Sequence, residues 1–313
     1  MIIQGFRVVP LLKRTGEEIL SDEVPSLAAT TAYYFFFSLF PLLLFIAPLL
    51  SFVGDKQQLM TELMSRAARA MPPEALAPLQ GVLKDVVFAK GAPGLMSMGA
   101  LLAAWAGSNI FGALMEALNT AYDVTESRPW WKRLLVRLAV FGVASILMLL
   151  AVVVLLDGTT VVGWIAGTLH LGGAAAGMLG VFAYLMAFAL LVMLAFLIFK
   201  TLPNLRQANR HVLVASVFTT ILWIVATLLF RVYVANFGSF NKTYGTIGGI
   251  IALLTWMYYS MFVLLSGGEL AAEMHKGTGA VDAAPGATYF GRLVTEAGPG
   301  HASRALDPGA PGT

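Results

Sequence analysis

Residues 246–268 contain no Lys, Arg, Asp, Glu or His. At about 1.5 Å of rise per residue, a helix over that stretch reaches across the roughly 30 Å of a bilayer's hydrocarbon core. Lipid offers no hydrogen-bond partner to an open backbone, so a segment this long and apolar is restricted to a spanning helix. Just past it stand Glu269 and Glu273, one helical turn apart, then His275 and Lys276. Before it runs a polar, aromatic stretch carrying Asn236, Ser239, Asn241 and Tyr244.

Five more stretches are long and predominantly apolar, at 30–53, 94–117, 134–156, 178–199 and 211–230. Charged residues make up 12% of the chain, against about 25% in a soluble protein. Lipid is therefore its solvent, and the fold expected is all-α, a polytopic membrane protein of six transmembrane helices. Pro41 and Pro48 remove backbone donors inside the first span, which predicts a kink or local unwinding there. Residues 1–29 mix Phe6, Val9, Leu12, Ile19 and Leu20 with charges of both signs and read as a cytoplasmic amphipathic helix at the interface. The order of basic, apolar and small residues in a cleaved signal is missing there.

Residues 55–90 alternate charged and apolar positions around Pro72, Pro73 and Pro78, consistent with two short surface helices in the first outer loop. The glycine-rich segment 157–177, with Trp164 and His170, reads as a connection. Residues 277–313 are largely Gly, Ala and Pro, the composition of a disordered tail. The division expected is a cytoplasmic N-terminal segment (1–29), a membrane domain (30–276) and a cytoplasmic tail (277–313).

Orientation follows from the cations. With the N-terminus inside, the inner segments hold thirteen of the twenty Lys and Arg residues. Both termini are then cytoplasmic. Arg128, Lys132, Arg133 and Arg206 fall on that inner side. Topology anchoring accounts for them as a group, and contact with anionic headgroups is the sharper reading. Anchoring also accounts for the basic pI, so no nucleic-acid partner is expected. Asn236, Ser239, Asn241 and Tyr244 fall outside, as a candidate gate or partner surface.

Polar groups inside membrane helices are costly, so their phase is informative. Asn109, Gly112, Glu116, Asn119 and Asp123 share one helical face, as do Thr255, Tyr259, Phe262, Ser266, Glu269 and Glu273. Thr31, Tyr34 and Ser38 make a third stripe. Such stripes commonly hydrogen-bond helices together. The alternative is an inward-facing vestibule lined by Thr31, Tyr34, Ser38, Asn109, Glu116, Asn119, Thr255, Tyr259, Ser266 and Glu269. Glu269 and Glu273 at a helix end are expected to be solvated rather than catalytic.

The chain has no cysteine, which excludes disulfides, thiolate nucleophiles and thiolate metal sites. It also carries no nucleophile elbow, phosphate loop or paired-histidine zinc motif. No metal, cofactor or enzymatic activity is expected.

Several short runs together resemble the YihY/BrkB inner-membrane proteins, once labelled ribonuclease BN. They are Ala28-Ala29 with Ala32-Tyr33-Tyr34, Ser38 and Pro41; Ala117-Leu118-Asn119-Thr120-Ala121-Tyr122; Arg128 with Trp131-Lys132; Leu202-Pro203-Asn204; and Tyr244-Gly245 with Trp256, Tyr258, Gly268, Glu269, Leu270 and Glu273. The resemblance implies a multi-pass protein of the bacterial inner membrane. It also implies a link to serum resistance in some relatives and to transport of lipid A precursors in one branch. The function expected is a transporter or flippase-like protein for a lipid or other amphiphile, with membrane lipids as partners. The alternative is a non-transporting envelope protein that binds partners through its outer loops. The ribonuclease label finds no histidine-rich metal motif here.

Overall fold

The computed structural model describes residues 6–50, 93–168, 173–236 and 246–277, with isolated positions beyond them. Seven helices are placed: α1 Val8–Ser21, α2 Val24–Leu50, α3 Pro93–Ala121, α4 Trp130–Thr168, α5 Gly173–Thr201, α6 Asn209–Asn236 and α7 Thr246–Lys276. Two two-residue antiparallel pairings complete it, Ile2–Ile3 with Phe6–Arg7 and Thr288–Tyr289 with Arg292–Leu293. The surface helices expected in 55–90, His170, and Ser239, Asn241 and Tyr244 lie outside the described residues. So does the expected disordered tail, apart from its short pairing.

The helices α3 to α7 each contain a stretch long and apolar enough to cross a membrane. The chain remains helical through Pro41 and Pro48, so the local unwinding expected there is not seen. Most of the connection expected at 157–177 is also helix, because α4 continues to Thr168. Glycine and threonine break helices mainly where water competes for the backbone, and an apolar setting removes that competitor.

The helices form a ring. Each of α2 to α6 packs on its successor, α6 packs on α7, and α7 returns to α2 while also touching α1, α3 and α5. Small residues line these seams. Ala28, Ala215, Ala271 and Ala272 are fully buried, which lets backbones approach closely. At Gly267 an added Cβ would collide with Thr219 of α6, and at Gly268 with Leu118 of α3. These two glycines, immediately before Glu269, let α6 and α3 close on α7. Outward, α3 to α6 expose Leu101, Trp105, Leu149, Phe182 and Leu229, an apolar belt suited to lipid. The amphipathic α1 docks on α7 and α2, burying Thr15 and exposing Val9, Leu12 and Leu20.

Candidate functional site

Polar side chains gather at the end of the ring that carries α1, where the α1–α2, α3–α4 and α5–α6 turns meet the last turns of α7. Local geometry sets this up. Asp123, just past α3, adopts a left-handed φ of 54°. The Val124 amide bonds back to the Asn119 carbonyl (2.9 Å) and the Asp123 amide to that of Thr120 (2.8 Å), the paired closure that ends a helix on a left-handed residue. Aspartate tolerates this conformation better than most residues. Glu23 also takes a left-handed φ, 51°, and its carbonyl accepts the first amides of α2 from Ser26 and Leu27.

The first assembly bolts the α3–α4 turn to the α5–α6 turn. The Asn119 side chain donates to Glu126 (3.0 Å) and accepts from the Asn204 amide (2.8 Å). Asn204 in turn donates to Ser127 (2.8 Å) and to the Thr125 carbonyl (3.2 Å). Arg128 grips Glu126 through Nε (2.8 Å) and a terminal nitrogen (2.7 Å), and donates to the Leu202 carbonyl (2.6 Å). Burial pushes the Glu126 carboxyl up, but Arg128 and Asn119 outweigh it and hold the group below its ordinary range. Beside this knot, the Tyr122 hydroxyl donates to Gln207 (2.6 Å), which donates to the Phe199 carbonyl (2.8 Å). Burial, then the Glu269 charge, drive the Tyr122 phenol above its ordinary value, so it keeps its proton.

The second assembly centres on α7. Glu269 is 1% exposed, and Glu273 and His275 are buried with it. The expectation that both carboxylates are solvated is therefore wrong: α1 and the α1–α2 turn cover that end of α7, and helical phase alone does not reveal such a lid. Asp22, from that turn, meets Glu269 side chain to side chain. Glu269 Oε2 and Asp22 Oδ2 are both buried with no hydrogen-bond donor. The neighbouring cation is engaged elsewhere, since Lys276 pairs with Asp123 (2.6 Å) and more distantly with Glu273 (3.7 Å). Burial first, then Asp123 and Glu18, push the Asp22 carboxyl above its ordinary value. His275 packs edge-on to Tyr122, ring centroids 5.9 Å apart.

A third group lies along the α2–α4 side. Arg137 sits seven residues into α4, about 10 Å along its axis. It donates to the Ser108 carbonyl (3.2 Å) and to the Asn109 side chain. Arg133, Glu116 and Tyr34 lie near it. Glu116 pairs with Arg133 at 3.4 Å, the carboxylate side chain 70% exposed. Tyr34 is exposed on the same side.

The ten residues expected to line one vestibule are thus dispersed. Tyr34, Asn109 and Glu116 join the α2–α4 group, Asn119 belongs to the knot and Glu269 to the carboxyl pair. Thr31, Ser38, Thr255 and Ser266 bond back to carbonyls of their own helices, and Tyr259 is exposed beside Phe230. Of the four cations assigned to headgroups, Arg128 is largely enclosed in the knot, Arg133 pairs with Glu116, Lys132 lies over the Trp131 ring (5.3 Å) and Arg206 is exposed. Asn236 ends α6. Sequence reasoning missed Asp22, Glu126, Gln207 and Arg137 as site residues. For Arg137 a signal existed, a cation inside an apolar run.

The family described as virulence factor BrkB matches residues 15–288. The ribonuclease-like protein YfkH of Bacillus subtilis (strain 168) is 32% identical over 272 residues, covering 85% of this chain and 95% of that protein. A UPF0761 membrane protein of Tolumonas auensis is 26% identical over 81% of each chain. Another, of Pseudomonas aeruginosa (strain LESB58), is 26% identical over 83% of this chain but 61% of its own length. No solved structure matches. The matched region holds all three polar assemblies, and the chain belongs to the BrkB family of membrane proteins.

Proposed function

We propose that this protein is a six-span bacterial inner-membrane protein with both termini in the cytoplasm, acting as a transporter or flippase-like protein on an anionic lipid or other amphiphile. One observation carries the reading. Arg137 is a cation inside a membrane span, and among the described residues no ion pair neutralises it. It is held by an amide oxygen and a carbonyl, beside Arg133 and the exposed Tyr34. Charges at such depth are costly and mark substrate paths in membrane proteins. An anionic headgroup entering between α2 and α4 would meet Arg133 first and Arg137 deeper, its acyl chains remaining against the apolar belt. The non-enzymatic reading is part of the same proposal, and the ribonuclease-like label is kept to the Bacillus relative.

The test is movement of labelled anionic lipid across proteoliposomes containing wild type or Arg137→Ala. Wild type should move lipid, and the variant should lose most of that activity while remaining monodisperse. Inactive wild type, or an unaffected variant, contradicts the proposal. A non-transporting envelope role is favoured by a different observation: Asn119, Arg128, Leu202 and Asn204 of the family runs converge on a densely paired knot, which suits a rigid scaffold. In that case lipid stays in place, and loss of the protein weakens the envelope.

A further inference from the structure

Glu269 is a buried carboxyl whose surroundings hold many charges but offer no donor to its Oε2. The groups whose charges reach it are Asp22 of the α1–α2 turn, Glu18 of α1, Asp123 after α3, and Lys276 of its own helix. Three of these four are acidic. Lys276 is engaged with Asp123 at 2.6 Å, and the Tyr122 hydroxyl, also close, donates its hydrogen bond to Gln207. Glu273 and His275 are buried on the same helix end, while the buried face of α2 there consists of Val24, Ala28 and Thr31. Thr31 donates to its own helix at Leu27.

Two ionised carboxylates in this position would repel each other while largely desolvated, an expensive state. A hydrogen bond between carboxyls requires that one of them carry a proton. A single shared proton removes the repulsion and supplies the donor that Glu269 Oε2 and Asp22 Oδ2 lack. We propose that Asp22 and Glu269 form a proton-binding site, one proton held between two carboxyls, clasping the α1–α2 turn to the last helix. The raised Asp22 carboxyl agrees with that arrangement. On losing the proton the pair goes from one negative charge to two. Glu18 and Asp123 then reinforce the repulsion, and α1 lifts from α7. The inference does not depend on lipid transport, because its test reads the proton itself.

The full chain in nanodiscs, titrated by infrared difference spectroscopy, should show the stretch of one protonated carboxyl at neutral pH. Asp22→Asn and Glu269→Gln should each abolish it, whereas Glu17→Gln, on the exposed side of α1, should leave it intact. Absence of the band in wild type, or its survival in both variants, overturns the proposal. So does loss of the band on adding sodium ions at fixed pH, which would make the site one for a metal cation. Hydrogen exchange over residues 8–21 of wild type provides a reading that needs no variant. Corrected for the intrinsic rise of amide exchange with pH, its protection should fall at least tenfold as the band titrates away, and protection indifferent to that titration overturns the clasp.

Discussion

The knot around Glu126 and the pair formed by Asp22 and Glu269 lie at the same end of the bundle, and each places a glutamate out of water. Glu126 receives three nitrogens of Arg128, two from the guanidinium and the backbone amide, and one of Asn119. Glu269, more deeply buried, has an oxygen with no donor at all. The first glutamate is stable as an anion and locks two turns together. The second, on the proposed arrangement, is stable only when it shares a proton with Asp22, so it couples the position of α1 to that proton. Buried polar groups of one residue type thus serve permanence or change according to whether their partners are complete.

The largest effect should come from cutting the knot. Arg128→Ala leaves Glu126 buried without its cation, a loss of about 3–5 kcal/mol, seen as a collapse of the thermal transition in detergent. Arg128→Lys should rescue only part of it, since a point charge cannot reproduce the forked contact. Asn204→Ala should cost about 1–3 kcal/mol by removing its hydrogen bonds to Ser127 and the Thr125 carbonyl, read as a lower midpoint in the same melt. A wild-type melt for either variant would dissolve the contrast between the clusters. Asp123→Ala should cost about 1–2 kcal/mol for the left-handed residue, beyond its ion pair. Asp123→Asn, which tolerates that backbone, should lose only the half-exposed pair with Lys276, about 0.2–1 kcal/mol.

The sequence exposed the spans because each is an apolar run with no alternative to helix. It also placed Asn119 and Glu269 on inward faces, since helical phase is local. It could not show which partners those faces meet. Asp22, Glu126 and Gln207 sit in turns without periodicity, and their roles depend on left-handed residues at Glu23 and Asp123 and on the close seam at Gly267 and Gly268. Glu273 looked like an ordinary solvated helix end because α1, its cover, is more than two hundred residues away in sequence.

Acidity separates the clusters with opposite signs. Asp22 is raised above its ordinary 3.8, so its contribution to docking α1 is complete below that value and fades as pH rises through the folded-state value. Glu126 is lowered below its ordinary 4.5, so the knot's contribution is complete above that value and fades as pH falls through the folded-state value. Protection from hydrogen exchange, corrected for the intrinsic pH dependence of amide exchange, should therefore fall over residues 8–21 as pH rises through the titration of the carboxyl pair. Over residues 122–129 that protection should stay constant until pH falls below the ordinary carboxylate range.

The most direct measurement compares the same amide swap at both sites, Glu126→Gln and Glu269→Gln, by thermal unfolding in one detergent at neutral pH. The swap keeps shape and removes charge. Glu126→Gln should lower the midpoint clearly, because Arg128 loses its anion, whereas Glu269→Gln should leave it unchanged or raise it. Equal losses from both substitutions would contradict the account, since they would mean that Glu269 is as fully paired an anion as Glu126.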